Sequence, residues 1–354
     1  MGNVANPLKE DLEHILQHTK DAWEEIRGKR IFITGGTGFI GTWLLESFAW
    51  ANEQLHLRAE AVVLTRDKRR FTARSPNLGA HPSIQFCNGD IRDFVSPTGP
   101  FHVVIHAAAQ TGIELNTKQP LVMTDTIVGG TRHVLEFAAE QHVQRMLFVS
   151  SGAVYGRQPA EVTQMPESQM TGPDPLDVHS AYAEGKRLAE FFCRVYGVQE
   201  HMQVPIARCY AFVGPHFPLD QHFAIGNFIR DGLHGGPIMV LGDGMPFRSY
   251  LYAADLAIWL WTILAKGRGG AAYNVGSDQA ITVKDLAVRV GEQFTPHVEV
   301  RVQGRTDPNA KPERYVPSID RARKELGLKV WTDLDSSITK TIQWYRSAAH
   351  QKFS

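Results

Sequence analysis

The feature that most constrains this chain is a glycine-rich stretch that directly follows a short apolar run. Residues 29–34 form the apolar run, and three glycines recur at three-residue spacing in residues 35–41, where a helical pattern begins. In a strand–turn–helix unit, one such glycine turns the chain, one lets the backbone approach a pyrophosphate, and one permits close helix packing. The sequence therefore predicts a dinucleotide site. Its predicted binding residues are Gly35, Gly38, Phe39, Ile40 and Gly41.

Short apolar runs continue to alternate with helical patterns along the chain. The runs lie at residues 61–64, 84–87, 103–106, 146–149 and 204–208. Strands that alternate with helices pair in parallel through right-handed crossovers, so we expect a Rossmann-type, doubly wound α/β sheet.

The length of the chain and the change in the length of its predicted elements indicate more than one domain. The chain has 354 residues, which exceeds the size at which one hydrophobic core usually stops growing. We expect the dinucleotide-binding domain at residues 29–211. Shorter elements at residues 212–354 predict a smaller α/β substrate domain, from which one or two segments could return to the first. Residues 1–28 predict an amphipathic leader helix that packs on the core or on a second subunit.

Charge and cysteine content exclude several classes of function. Lys plus Arg and Asp plus Glu both number 37, so no basic surplus exists to bind nucleic acid. The three cysteines have no CxxC spacing, which argues against a metal site and predicts buried thiols in a reducing, cytoplasmic compartment. Neither an apolar signal-peptide core nor an 18-residue apolar stretch occurs, so we expect no membrane partner.

Two further strand ends fit the dinucleotide site. Asp90 and Ile91 follow the strand at 84–87, where a carboxylate can accept a hydrogen bond from an adenine amino group. Ala107 and Ala108 follow the strand at 103–106, and their small side chains leave room for the dinucleotide to cross the sheet edge.

The end of the second strand bears on the choice between NAD and NADP. A carboxylate there accepts hydrogen bonds from a free ribose, whereas an arginine pairs with a 2′-phosphate. Arg66 stands first and a basic run follows, which favours NADP. The alternative is a solvated basic loop in which Asp67 binds NAD.

Tyr182 and Lys186 stand four residues apart in a helical segment, which places both side chains on one helix face. An adjacent ammonium and a positively charged nicotinamide would lower the pKa of the phenol, which makes Tyr182 a plausible general acid/base. Ser151 ends the fifth strand, where its hydroxyl can bond the same sugar oxygen.

Taken in order, these motifs resemble the extended short-chain dehydrogenases/reductases, in particular their nucleotide-sugar epimerase/dehydratase branch. The signatures TGxxGFIG, HxAA, SSxxVYG and YxxxK all occur, and the resemblance covers residues 30–346. It implies a nucleotide-diphosphate-sugar substrate and a homodimer built on two helices per subunit. It also implies a catalytic triad of Ser151, Tyr182 and Lys186, with Lys186 holding the nicotinamide ribose. Arg248 would contact the diphosphate and Asn227 the nucleotide, although Asn227 could equally be a plain helix residue.

The reaction is predicted less sharply than the family. The family's 4,6-dehydratases carry an Asp-Glu pair after the catalytic hydroxyl, but this chain has Gly152 and Ala153. We therefore expect an epimerase that transfers hydride at the sugar C4, as in nucleotide-sugar biosynthesis for cell-surface polysaccharides. The alternatives are an NADPH-dependent 4-keto-sugar reductase, a 4,6-dehydratase and a non-catalytic dinucleotide-binding module. His216 lies in a loop that resembles one carrying a catalytic histidine in some relatives; it is a candidate substrate contact or only a loop residue.

Overall fold

A computed structural model describes residues 6–109, 113–307 and 309–351. Its main sheet has seven strands in the order β3-β2-β1-β4-β5-β6-β11, and every neighbouring pair is parallel. These strands are β1 (Arg30–Thr34), β2 (Glu60–Thr65), β3 (Ile84–Asn88), β4 (Val103–His106), β5 (Arg145–Ser151), β6 (Ile206–Cys209) and β11 (Ala272–Val275). The predicted Rossmann-type sheet is confirmed.

Helices connect the strands and cover both faces of the sheet. They are α1 (Lys9–His18), α2 (Lys20–Ile26), α3 (Phe39–Gln54), α4 (Lys68–Arg74), α5 (Pro76–Gly79), α6 (Ile113–Lys118), α7 (Pro120–Glu140), α8 (Ala181–Gln199), α9 (Ala224–Leu233), α10 (Ala253–Lys266), α11 (Val283–Glu292), α12 (Asp320–Leu326) and α13 (Leu334–Gln351). Two short 3₁₀ helices span Gly152–Tyr155 and Val178–Ser180. None of the helices in the described ranges combines the length and apolarity that a bilayer span requires.

Side-chain alternation along the strands divides the interior into two cores. In β1, Phe32 packs in the core beneath α7 and α8, whereas Ile31 and Ile33 pack in the core beneath α3 and α10. This alternation follows from the two-residue period of a strand. Both faces of the sheet are therefore covered, and ligands have access at the carboxyl edge.

The N-terminal segment forms two helices rather than the single predicted one. Thr19 breaks the pattern because its backbone leaves the helical region, and its hydroxyl donates to the carbonyl of Ile15. The segment packs on the core: α1 contacts α3 and α10, and the rings of Trp23 and Trp261 lie 4.6 Å apart.

Elements after residue 212 divide between the main sheet and three small sheets. α10 packs on α3 and β5, and β11 forms an edge of the main sheet. The remaining strands are β7 (Phe212–Val213), β8 (Ile238–Val240), β9 (Phe247–Arg248), β10 (Leu251–Tyr252), β12 (Ile281–Thr282), β13 (Val300–Val302) and β14 (Arg314–Tyr315). They pair as β10-β7, β12-β9-β14 and β13-β8. A domain boundary at 211–212 stays a prediction, since α10 and β11 belong to the layers of the main sheet.

All three cysteines are free thiols. Cys193 and Cys209 are buried as expected, and Cys87 is half-buried.

Candidate active site

The glycine-rich loop is packed so tightly that side chains are excluded at two of its positions. Gly35 has φ of +72°, and a Cβ there would lie 2.5 Å from the backbone of Ala107 and Ala108. A Cβ on Gly41 would collide with the carbonyl oxygen of Gly35. The structure thus brings together the loop, the start of α3 and the end of β4, as predicted from the spacing.

The amino terminus of α3 offers backbone donors toward this edge. Gly38 is the N-cap residue, and no side chain caps the helix within the described chain. Phe39 and Ile40, the first two helical residues, are half-buried. Uncapped N–H groups at a helix amino terminus attract anions, so the geometry fits the pyrophosphate of a dinucleotide.

Near the end of β2, the two residues that bear on cofactor choice have different surroundings. Asp67 is exposed, and its Oδ1 accepts a hydrogen bond from the Arg70 N–H at 2.9 Å, which caps α4. Arg66 is also exposed. The structure adds Arg74, which donates to the loop carbonyl of Thr37 at 2.6 Å. The linear motif did not reveal Arg74, because two turns of helix separate it from Arg66.

Asp90 lies after β3 but is already paired. Its carboxylate accepts two hydrogen bonds from the guanidinium of Arg92, at 2.7 and 3.3 Å. Arg92, with a smaller contribution from Arg66, lowers the pKa of Asp90. Ile91 packs beneath α7 against Gly130. An adenine contact by Asp90 would therefore be shared with Arg92.

Lys186 is almost completely buried on α8, with 1 % of its surface exposed. Its Nζ donates to the carbonyl of Val149 at 2.8 Å and lies 4.8 Å from the ring centre of Phe148. Burial lowers the pKa of Lys186 to about 8, and the nearby Cys209, Cys193 and Glu190 side chains, in that order, partly oppose that shift. The ammonium is thus held at the end of β5, next to Ser151.

In the chain by itself the pKa of Tyr182 is not lowered, and its predicted lowering by Lys186 together with a positively charged nicotinamide stays a prediction. Burial raises the pKa of Tyr182 to about 12, and a hydrogen-bonding interaction with Ser151 only partly opposes it. The Lys186 ammonium is instead directed to the strand carbonyl. The phenol of the chain by itself therefore holds its proton at neutral pH, and it must lose that proton before it can accept one from a sugar hydroxyl.

Asn116 fixes the start of the helix that carries Tyr182. Its Oδ1 accepts from the Tyr182 N–H at 3.0 Å, and its Nδ2 donates to the His179 carbonyl at 2.7 Å. The Asn116 side chain therefore anchors this helix terminus to α6. Nothing in the sequence pattern pointed to this residue.

A second phenol that sequence reasoning missed also reaches Ser151. Tyr315, on β14, interacts with the Ser151 hydroxyl, and burial raises its pKa. Its ring centre lies 4.5 Å from that of Tyr210, with the two ring planes tilted by 36°. Tyr182 and Tyr315 are both half-buried, so part of each side chain is accessible to solvent. The sequence separates Tyr315 from Ser151 by more than 160 positions, and only tertiary folding joins them.

Gly152 lacks a side chain for a steric reason. A Cβ at this position would lie 2.6 Å from Cζ of Tyr210. An acidic side chain could enter only if the Tyr210 ring moved.

The residues predicted to bind substrate do not all meet. Arg248 is aligned with Tyr315 in the β9–β14 pairing, and its charge acts on the Tyr315 phenol. Its guanidinium donates to the Phe247 carbonyl at 2.9 Å. Asn227 is half-buried on α9, and its Oδ1 accepts from Arg230 at 3.1 Å.

His216 points away from this group. Its ring lies 3.7 Å from the Glu46 carboxylate and 4.7 Å from the Trp344 ring centre, between α3 and α13. The neighbouring Pro215 carbonyl accepts from the Trp43 indole at 2.9 Å, which ties this loop to α3. Burial lowers the pKa of His216 to about 4. Among the described residues, His216 is not brought to Ser151, so the geometry gives its predicted substrate contact no support.

A family model described as the NAD-dependent epimerase/dehydratase family matches residues 31–276, more than half of the chain. The chain belongs to this family. Of the catalytic cluster described above, Tyr315 alone lies beyond the matched range.

Relatives within the epimerase/dehydratase family are similar over nearly the whole chain. Human dTDP-D-glucose 4,6-dehydratase is 29 % identical over 348 residues, which cover 93 % of this chain and 95 % of that one. UDP-glucuronic acid decarboxylase 3 from Arabidopsis thaliana is 30 % identical, over 84 % of this chain and 83 % of the relative.

A solved family structure has the same fold. The dTDP-glucose 4,6-dehydratase DesIV from Streptomyces venezuelae, solved with NAD and TYD bound, superimposes with a TM-score of 0.75 at 26 % identity. The match covers 91 % of this chain and 98 % of DesIV. The protein is thus an enzyme of the nucleotide-sugar epimerase, dehydratase and decarboxylase superfamily.

Proposed function

We propose that this protein is a nucleotide-sugar epimerase that acts by reversible hydride transfer at the sugar C4. The observation that carries the proposal is the convergence of Tyr182 and Lys186 with Ser151 at the carboxyl edge of the sheet, close to the glycine-rich loop. Relatives that act on dTDP-glucose or UDP-glucuronic acid support a nucleotide-diphosphate sugar as substrate.

Each side chain has a separate task in this reaction. A nicotinamide bound at this edge would supply hydride acceptance and hydride return. Tyr182, as its phenolate, accepts the proton of the C4 hydroxyl as that carbon is oxidised and gives it back when hydride returns, while Ser151 hydrogen-bonds the same oxygen. Lys186 supplies a buried positive charge that favours the anionic form of that oxygen and orients the nicotinamide ribose. Epimerisation then requires the keto sugar to present its opposite face before hydride returns.

The surroundings of Gly152 argue against 4,6-dehydration. Elimination of water needs an acid and a base of its own, and the family's dehydratases place an acidic pair after the catalytic hydroxyl. Here that position has no side chain, and the ring of Tyr210 fills the space. Overall similarity to dehydratases therefore does not extend to the residues that the elimination requires.

A second candidate function is reduction of a 4-keto nucleotide sugar by NADPH. The charges near the end of β2 favour it. Asp67 already caps α4, while the guanidinium groups of Arg66 and Arg74 bring positive charge to this edge, which would suit a 2′-phosphate. We accordingly propose NADP in preference to NAD.

Two further features extend the proposal to substrate and assembly. Arg248 lies beside Tyr315, where a guanidinium could bind the substrate diphosphate with two parallel hydrogen bonds. The outer faces of α7 and α8 expose Leu121, Leu188 and Phe191, the last with 60 % of its surface accessible. We propose that these helices form a homodimer interface, which sedimentation of wild type and Phe191→Glu would test.

The decisive experiment supplies purified protein with nucleotide hexoses and their 4-keto derivatives, with and without NADPH or NADH. An epimerase interconverts C4 epimers without net consumption of reductant, and Tyr182→Phe lowers turnover by about 10²–10⁴-fold. Consumption of one reductant per 4-keto sugar would instead establish the reductase. Unchanged turnover in Tyr182→Phe would refute both functions, because each depends on the phenol proton.

A further inference from the structure

A third side chain shares the helix stripe that carries Tyr182 and Lys186. Glu190 follows Lys186 by four residues, so the three side chains lie one above another on α8. Glu190 Oε1 accepts a hydrogen bond from the Ser150 hydroxyl at 2.6 Å. Lys186 and Glu190 thus contact Val149 and Ser150, the two residues that precede Ser151 on β5.

Glu190 is held from the other side by Arg208 on β6. The guanidinium donates to both carboxylate oxygens, with Nη2 to Oε2 at 2.6 Å and Nε to Oε1 at 3.0 Å. The two side chains are only 9 % and 17 % exposed. Forked geometry of this kind fixes the orientation of both partners. A buried ion pair often contributes little net stability, so stability alone does not explain why Glu190 and Arg208 are paired here.

The hydrogen bonds continue from Arg208 toward the second phenol. Arg208 Nη1 donates to the Tyr155 hydroxyl at 2.8 Å, and that hydroxyl donates to Asn274 Oδ1 at 2.9 Å. Asn274 Nδ2 in turn donates to the Met165 carbonyl at 2.8 Å. The Met165 N–H donates to the carbonyl of Val316, the residue next to Tyr315. A continuous chain of bonds therefore links the helix of Tyr182 to the strand of Tyr315.

We infer that Glu190 is a positioning residue that sets both the placement and the charge of Lys186. The carboxylate, held by Ser150 and Arg208, fixes α8 against β5, so that Tyr182 and Lys186 reach Ser151 in a single arrangement. This inference rests on the proposed function, because it concerns the same proton-transfer group.

The groups that face Lys186 identify Glu190 as the source of negative charge. They are His106 on β4, Cys209 on β6, and Cys193 and Glu190 on α8 itself. Burial lowers the pKa of His106 to about 3 and raises that of Cys209 to about 12, and it also raises the pKa of Cys193. These three groups are therefore neutral near pH 7. Removal of the Glu190 charge should make the ammonium of Lys186 easier to deprotonate.

Glu190→Gln tests this inference, because it keeps the shape and a hydrogen-bond acceptor but removes the charge. We expect the alkaline limb of the kcat/KM profile to move to lower pH, because the ammonium loses a nearby negative charge. The matched control is Glu184→Gln on the same helix, because Glu184 is paired with Arg187 near the surface. The pH profile of kcat/KM for this variant should coincide with that of wild type.

A second variant separates placement from charge. Arg208→Lys keeps the positive charge but loses the fork, so kcat should fall about tenfold while the alkaline limb stays in place. Two results would overturn the inference and show that the ion pair is purely structural. One is a wild-type kcat in folded Arg208→Lys, and the other is an unchanged alkaline limb of the kcat/KM profile in folded Glu190→Gln. If Glu190→Gln does not fold, Arg208→Lys alone decides. Failure of the proposed function is seen separately, as unchanged turnover in Tyr182→Phe.

Discussion

Replacing Gly35 with alanine should weaken both the fold and dinucleotide binding. Gly35 adopts φ of +72°, and a Cβ there would lie 2.5 Å from three backbone atoms of Ala107 and Ala108. The left-handed conformation costs a residue with a Cβ about 1–2 kcal/mol, and overpacking against backbone costs about 1–3 kcal/mol. We therefore expect a loss of about 2–5 kcal/mol in the free energy of unfolding. For a chain of 354 residues, this corresponds to a fall of about 3–7 °C in melting temperature.

Thermal unfolding by circular dichroism and titration with NADPH or NADH together test this expectation. Relief of the clash must push β4 away from the loop, so cofactor affinity should fall along with the melting temperature. Gly129→Ala is the matched control, because a Cβ at Gly129 meets no atom within 4 Å and lies inside α7. Alanine should stabilise that helix by up to about 1 kcal/mol. A Gly35→Ala protein that melts within 1 °C of wild type would refute the steric argument.

Two further predictions concern the catalytic cluster. Burial lowers the pKa of Lys186 to about 8, so its ammonium is lost as the pH rises through that value. We therefore expect kcat/KM to decline above about pH 8. A kcat/KM profile that stays flat to about pH 10 would contradict the role given to the Lys186 charge. Gly152→Asp should destabilise the protein by about 1–3 kcal/mol without conferring dehydratase activity, because its Cβ would meet the Tyr210 ring. The double variant Gly152→Asp/Tyr210→Ala should recover part of the lost stability, as measured by thermal unfolding. A Gly152→Asp protein as stable as wild type would count against the steric explanation.

Local sequence patterns were sufficient for the dinucleotide-binding half of the molecule. Three glycines, Gly35, Gly38 and Gly41, lie at three-residue spacing between a strand and a helix. This spacing predicts a tight loop, and the backbone leaves no room for a side chain at Gly35 or Gly41. The helical spacing of Tyr182 and Lys186 likewise fixes their relation on one face, because four residues make about one turn. The predicted loop and helix are confirmed because each depends on contacts within a short stretch of chain, whereas the binding and catalytic roles of these residues stay predictions.

Local patterns were less informative where the outcome depends on what a side chain meets. His216 was open between a substrate contact and a plain loop residue, and the bond from Trp43 to Pro215 holds that loop against α3. The leader segment had one amphipathic pattern, yet it breaks at Thr19 into two helices that pack on α10. Neither outcome is encoded in local periodicity.

The sequence by itself determined the parallel sheet, the glycine-rich loop and the stripe of Tyr182 and Lys186, since backbone conformation and helix period are local properties. Only the tertiary structure decided which groups surround that stripe. It brought Tyr315 to Ser151, closed the space beside Gly152 with Tyr210, and directed the Lys186 ammonium to the Val149 carbonyl. The physical reason is that burial and long-range contacts set the energy of a proton or a charge, and these depend on residues far apart in the chain.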